Sequence, residues 1–376
     1  MEDSKHPDFI KAFYLKRGFS TRALHAGEHF GQPHTPAHVN PIYQTSTFVF
    51  SSAEEGAKAF AGQDDAYIYT RLGNPTVKVT EAKLNALEGA GVKLANRDIR
   101  VSTLAFSSGM AAITASLLAC AKAGDEILLG NVVYGATESL AYNVLNNLGI
   151  KAFDVDVANL EAGQKAIGEH PKAKAIFFET PMNPTLALAD IAAVAKIVRQ
   201  VNPNIVVIVD NTFSTPYLQR PLELGADVVV HSATKYLSGN GQVQGGVVSG
   251  PRDIVQRVIN QMQILGTAMP PFSAWLLLAG SHTLALRMAR HSENAQSLAA
   301  LLVEHPAVAE VNYPGLSSHA RHETAARMFG DDGFGGMLSF RLRRPEDQGP
   351  FLNRLQLCTI AVSLGDTSSL AWPWPN

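Results

Sequence analysis

Three short apolar runs constrain this chain more than any other feature. KAKAIFFET ends at Glu179 and Thr180, NIVVIVDNTF breaks at Asp210, and ADVVVHSATKYLSG breaks at His231 and Ser232 before reaching Lys235. An amphipathic stretch, DIAAVAKIVRQVNP, and a short helical PLELG separate them. Runs of four to six mostly β-branched residues alternating with helices are how a sheet buried on both faces reads. The pattern predicts an α/β sandwich with a mainly parallel sheet. Ligands of such sheets sit beyond the carboxyl ends of the strands, where all three polar clusters fall.

The flanks extend the pattern. TVKVTEAKLNALEGA has apolar residues at helical spacing and a glycine stop at Gly89. SSGMAAITASLLACAKAGDEILLG predicts a helix from about Ser108, a turn at KAGD and a strand. The region FSAWLLLAGSHTLALRMARHSENAQSLAALLVEH predicts a long helix with a kink or bend, and GGMLSFRL and LCTIAVSLG are strand-like. The organisation expected is an N-terminal arm over residues 1–75, an α/β domain over 76–270 and a smaller α+β C-terminal domain over 271–376. An arm of that size, rich in Gly, Pro, Thr and His, is small for a core of its own and suits wrapping a partner.

Composition excludes several classes. A formal charge of −2 lacks the basic excess of a general nucleic-acid binder. Cys120 and Cys358 are far apart and form no CxxC, so neither a disulfide framework nor a cysteine metal site is expected. His319 and His322 lie three apart without an HExxH and read as structural, so no metal is expected. No signal-peptide core and no membrane-length apolar run is present, and the chain is expected to be cytoplasmic.

Four features can carry chemistry. Asp210 directly follows an apolar run, so its carboxylate calls for a cationic partner, or else merely caps a turn. Lys235 is a nucleophilic amine if desolvated, or else a lysine that snorkels to the surface. Ser232 and Thr234 beside it are the groups that would hold a phosphate. FSSGMAAI opens a helix whose first N–H groups are unpaired, which makes either an anion site or a tight turn. Tyr134, after a short strand, can stack on a ring or sit in the core. Together they specify a phosphate, an aldehyde for a lysine and a ring nitrogen for an aspartate, which is pyridoxal phosphate. A nicotinamide site is a poor alternative, because SGNGQVQGG does not match GxGxxG.

YTRLGNPT, FSSGMAAI, ETPMNP, VDNTF and HSATKYLSG stand in an order that resembles the Cys/Met-metabolism pyridoxal-phosphate enzymes, from about Thr21 to Thr367. The resemblance implies a fold type I (aspartate aminotransferase-like) transferase architecture, with pyridoxal 5′-phosphate attached to Lys235 and Asp210 beside its ring nitrogen. It implies phosphate contacts from Ser108, Gly109, Met110, Ser232 and Thr234, stacking by Tyr134, and Asn183 and Glu179 near the ring oxygen. Tyr69 and Arg71 resemble a pair that reaches a neighbouring subunit's phosphate, which implies a homodimer or homotetramer with a shared active site.

Within the family, Val362 stands where members that handle cystathionine carry glutamate, so Val362, Ser363 and Leu364 are the expected substrate contacts. The segments FAGQDDAYIYTRLGNPT, FGGMLSF and VSLGD are most similar to those of methionine γ-lyases, although Ala136 replaces that enzyme's cysteine two residues after the stacking tyrosine. The resemblance implies a carbon–sulfur lyase that eliminates a thiol from a sulfur amino acid. The alternatives are a sulfhydrylase or cystathionine enzyme, or a binding protein without turnover. The chain ends at LAWPWPN, before the family's carboxylate-gripping arginine, and weak substrate binding is expected from this.

Overall fold

A computed structural model of the chain describes residues 15–27, 37–89 and 101–373. Residues 1–14 and 28–36 of the expected arm, and the last three residues of LAWPWPN, lie outside the described residues. The centre is a seven-stranded sheet of β1 (Val101–Phe106), β2 (Glu126–Gly130), β3 (Lys151–Val155), β4 (Ala173–Glu179), β5 (Val206–Asp210), β6 (Val228–Ser232) and β7 (Gly246–Pro251). Its order is β1-β7-β6-β5-β4-β2-β3. Neighbours from β6 through β3 run parallel, and β7 alone runs against both of its neighbours.

Alternation sorts the strands' side chains between two layers. Phe177, Ile208, Val228 and Val230 face one core with Ile113 and Leu117 of a helix, while Phe178, Val207 and Val209 face the other with Val194 and Val198. Phe177 and Phe178 are both fully buried, and each contributes roughly 1.5–3 kcal/mol by leaving water. The covering helices form where their caps predict. They include α1 (Phe19–His25), α2 (Ala53–Phe60), α3 (Pro75–Glu88), α4 (Gly109–Cys120), α5 (Leu160–Glu169), α6 (Ile191–Val201) and α7 (Arg252–Leu265). Asn74 caps α3 ahead of Pro75, Ser108 caps α4, and Asp190 caps α6.

Two features differ from the sequence expectation. The long helix is two helices, α8 (Pro271–Ser281) and α9 (Leu284–Val303), parted at His282 and Thr283. The break lets Thr283 and Gly280 receive an arginine side chain from α9. The glycine-rich segment after Lys235 contains β7, which pairs with both β6 and β1. Its glycines make room: a Cβ at Gly246 would lie 2.1 Å from the Ser108 carbonyl oxygen, and one at Gly250 would lie 2.8 Å from that of Asp227. Beyond this sheet, β8 (Val308–Asn312) pairs antiparallel with β9 (Ser339–Leu342). From LCTIAVSLG only Thr359 and Ile360 enter a strand, paired to Leu370 and Ala371. Among the described residues no helix is long and apolar enough to cross a membrane.

Candidate active site

The ends of β4, β5 and β6 bring the three polar clusters together. Glu179 and Asp210 stand opposite each other in register, so their carboxyl groups project from the same face of adjacent strands. Asp210 Oδ1 accepts the Thr212 N–H at 2.9 Å, and the Thr212 hydroxyl accepts the Ser232 N–H at 2.8 Å. Thr212 thereby fixes β5 to β6 at their carboxyl ends. Burial raises the pKa of both carboxyl groups, and Asp210 raises that of Glu179 further, to about 8. Two carboxyls so placed share a proton near neutrality. Neither makes an ion pair among the described residues.

The Glu179 proton has a consequence for stability. An unfolded glutamate releases it near 4.5 and the folded one near 8, so stability falls as pH rises through that window. Glu179→Gln cannot release a proton there. Its melting temperature is expected to drop less between pH 5 and pH 8 than that of the unsubstituted protein, as thermal melts at the two pH values would show.

Lys235 sits in the turn after β6, half-buried, and desolvation lowers its pKa, which favours the neutral amine. Its Nζ donates to the Ser363 hydroxyl at 3.1 Å. Gly365 packs on the same turn: at φ 77°, a Cβ there would lie 2.5 Å from the Tyr236 nitrogen. That contact seats Val362, Ser363 and Leu364 beside the lysine. Val362 is 73% exposed, whereas Leu364 packs into the core.

The N-terminus of α4 lies against the end of β6. A Cβ at Gly109 would fall 2.9 Å from Ser232 Cβ, so only glycine permits this approach. The Ser108 hydroxyl is occupied by the Ala111 N–H at 3.1 Å. The N–H groups of Gly109 and Met110 are the unpaired first donors of the helix. Beside them lies the Ser232 side chain, a cradle suited to an anion. The Thr234 hydroxyl is bound to Gly245, accepting its N–H at 3.0 Å and facing its carbonyl at 3.3 Å. On the opposite face His231 meets Glu88 at 2.5 Å, both fully buried, which pins β6 to α3.

Tyr134 is 52% exposed, and its N–H donates to Glu179 Oε1 at 2.7 Å. The acid therefore positions the tyrosine through its backbone and leaves the ring free. Asn183 reaches the same carboxyl group through its own backbone. Met110 accepts a contact from the Thr137 hydroxyl at its sulfur, 3.8 Å away. Tyr69 and Arg71 lie together, the guanidinium 5.6 Å from the ring centroid. Arg71 donates to the Gln263 carbonyl of α7 at 2.6 Å. Thr212, Gly246 and Gly365 went unrecognised in the sequence. The threonine in VDNTF carried a signal, being two residues past a strand-end aspartate.

This arrangement of lysine, strand-end carboxylate and phosphate cradle on a mainly parallel sheet defines a pyridoxal-phosphate enzyme of fold type I. The sequence pattern of the Cys/Met metabolism PLP-dependent enzymes matches residues 20–374, and the chain belongs to that family. Its cofactor is pyridoxal 5′-phosphate. The chain is 45% identical to an L-methionine gamma-lyase of Pseudomonas putida, over 94% of this chain and 85% of that one. It is 41% identical to a cystathionine gamma-lyase of Bacillus subtilis, over 93% of this chain and 86% of that one. A Campylobacter jejuni structure described as a putative O-acetylhomoserine (thiol)-lyase, carrying a pyridoxyl-lysine, superposes with a TM-score of 0.86 at 33% identity, covering 95% of this chain and 93% of that one.

Proposed function

We propose that this chain catalyses the α,γ-elimination of L-methionine or homocysteine, releasing a thiol, 2-oxobutanoate and ammonia. The observation that carries the proposal is the apolar, exposed Val362 next to Ser363, whose hydroxyl holds the Lys235 amine. A methyl or thiol end fits beside Val362, and a second amino acid's charged end finds no partner in that side chain. The similarity to methionine gamma-lyases supports the same reading.

The residues present fit the cofactor. Asp210 makes no ion pair among the described residues, one that a protonated ring nitrogen would supply, and the helix N-terminus with Ser232 matches a phosphate. Ser108, Gly109, Met110 and Thr234 complete that cradle, while Asn183 and Glu179 border the ring. When bound, pyridoxal phosphate supplies an aldehyde for attachment to Lys235 and a ring that accepts electrons from the substrate's Cα. Lys235 moves protons at Cα and Cβ of the substrate, and the Tyr134 hydroxyl donates one to the departing sulfur. Asp210 keeps the ring nitrogen protonated by holding negative charge beside it.

The active site is shared in a homodimer, paired into a homotetramer, acting in the cytoplasm. Two features support the sharing: the Arg71 guanidinium bonds the Gln263 carbonyl of α7, and Val49, Phe60, Ile264 and Phe272 are exposed apolar side chains. A substrate panel tests the chemistry. Methionine is expected to yield equal amounts of keto acid and methanethiol, and homocysteine equal amounts of keto acid and hydrogen sulfide. Absence of keto acid, with homocysteine formed from O-acetylhomoserine and sulfide, would assign a sulfhydrylase instead.

A further inference from the structure

Arg287, on α9, is a partly buried cation outside the residues placed above. Its Nη1 donates to the Tyr236 carbonyl at 2.6 Å, its Nη2 to the Gly280 carbonyl at 2.8 Å and its Nε to the Thr283 hydroxyl at 3.0 Å. Burial pulls its pKa down to about 10, and no carboxylate among the described residues offsets that. Desolvating a guanidinium without a counter-charge is costly, so its retention calls for a reason. Three acceptors spread around one plane match the fixed fork of arginine; the point charge of a lysine cannot reach all three.

The backbone around it is built to admit it. A Cβ at Gly239, where φ is 69°, would lie 2.2 Å from the guanidinium carbon. One at Gly280 would lie 2.0 Å from the Ser238 carbonyl oxygen. The Ser238 hydroxyl in turn donates toward the Thr234 and Lys235 carbonyls at 3.1 and 3.2 Å. The reactive turn is held on its inner side by Ser238 and Arg287 and on its outer side by Gly365.

We propose that Arg287 is a positioning residue for Lys235: by fixing the carbonyl of the next residue, it sets the direction in which the lysine amine leaves the turn and ties that direction to the junction of α8 and α9. The inference rests on the reading of Lys235 as the cofactor lysine. A shift of the amine by about 1 Å costs on the order of 100-fold in rate.

The test compares Arg287→Lys and Thr283→Ala with the unsubstituted full chain, each loaded with pyridoxal phosphate. Visible circular dichroism of the bound cofactor, melting temperature and steady-state kinetics with L-methionine are measured. Arg287→Lys is expected to change the ellipticity of the cofactor band by about half or more, and to lose about 100-fold in kcat with KM within about threefold. Thr283→Ala keeps the charge but frees Nε, and is expected to change the band in the same sense by less. An unaltered band in a folded Arg287→Lys protein would reduce the arginine to a structural role and overturn the proposal. If Arg287→Lys does not fold, Thr283→Ala decides: an altered band supports positioning, and an unaltered one overturns it. Failure of the underlying reading shows separately, as a cofactor adduct that maps away from Lys235 in the unsubstituted protein.

Discussion

Lys235→Ala is expected to lower kcat with L-methionine about 10⁴-fold, the upper end of what one positioned proton-transfer group contributes. The loss follows from the two roles proposed for one atom, Nζ as the point of cofactor attachment and as the base at the substrate. The fold is expected to survive. Among the described residues the side chain of Lys235 bonds Ser363 alone, while its backbone N–H and carbonyl are engaged by Ser232 and Gly239 at 3.2 and 2.9 Å whatever the side chain. Lys235→Arg separates charge from nucleophilicity: it keeps a cation but cannot form the attachment, and should lose as much as alanine. Activity measured beside melting temperature checks both variants. A variant that stays within tenfold of the unsubstituted rate would remove Lys235 from the chemistry.

Asp210→Asn is expected to reduce kcat by about 10²–10³-fold, the range observed when one preorganised electrostatic partner is removed. Glu179 cannot take over, although it stands in register one strand away. Its carboxyl is committed to the Tyr134 N–H and keeps its proton to about pH 8, so it carries little negative charge at neutrality. The substitution also removes the repulsion that Asp210 exerts on Glu179, which should then titrate lower. Steady-state kinetics across pH would show the loss at every pH. Recovery of the rate at high pH, where Glu179 ionises, would mean that the two acids are interchangeable.

Much of this was legible in the sequence because buried parallel strands announce themselves. KAKAIFFET, NIVVIVDNTF and ADVVVHSATK became β4, β5 and β6, and the polar residues that closed each run stand at the carboxyl ends of adjacent strands. The helix opening at Ser108 was legible from its cap. β7 was not, because Gly246 and Gly250 suppress the strand pattern for a tertiary reason, the close approach of the Ser108 and Asp227 backbones. β1 and β3 were missed as well: VSTLAF and KAFDV are short, and β1 is an edge strand recruited by β7. The kink expected in the long helical region is the break between α8 and α9, and its reason becomes intelligible once Arg287 is seen to occupy it. Among the site residues, the hydroxyl of Thr234 was expected at the phosphate, and its bonds to Gly245 depend on β7.

Borohydride reduction of the cofactor-loaded protein, followed by proteolysis and mass mapping, tests the central claim most directly. A pyridoxyl adduct on the peptide carrying Lys235, and on no other lysine, is the predicted result. An adduct confined to another lysine, or none on a protein that has bound the cofactor, would contradict it.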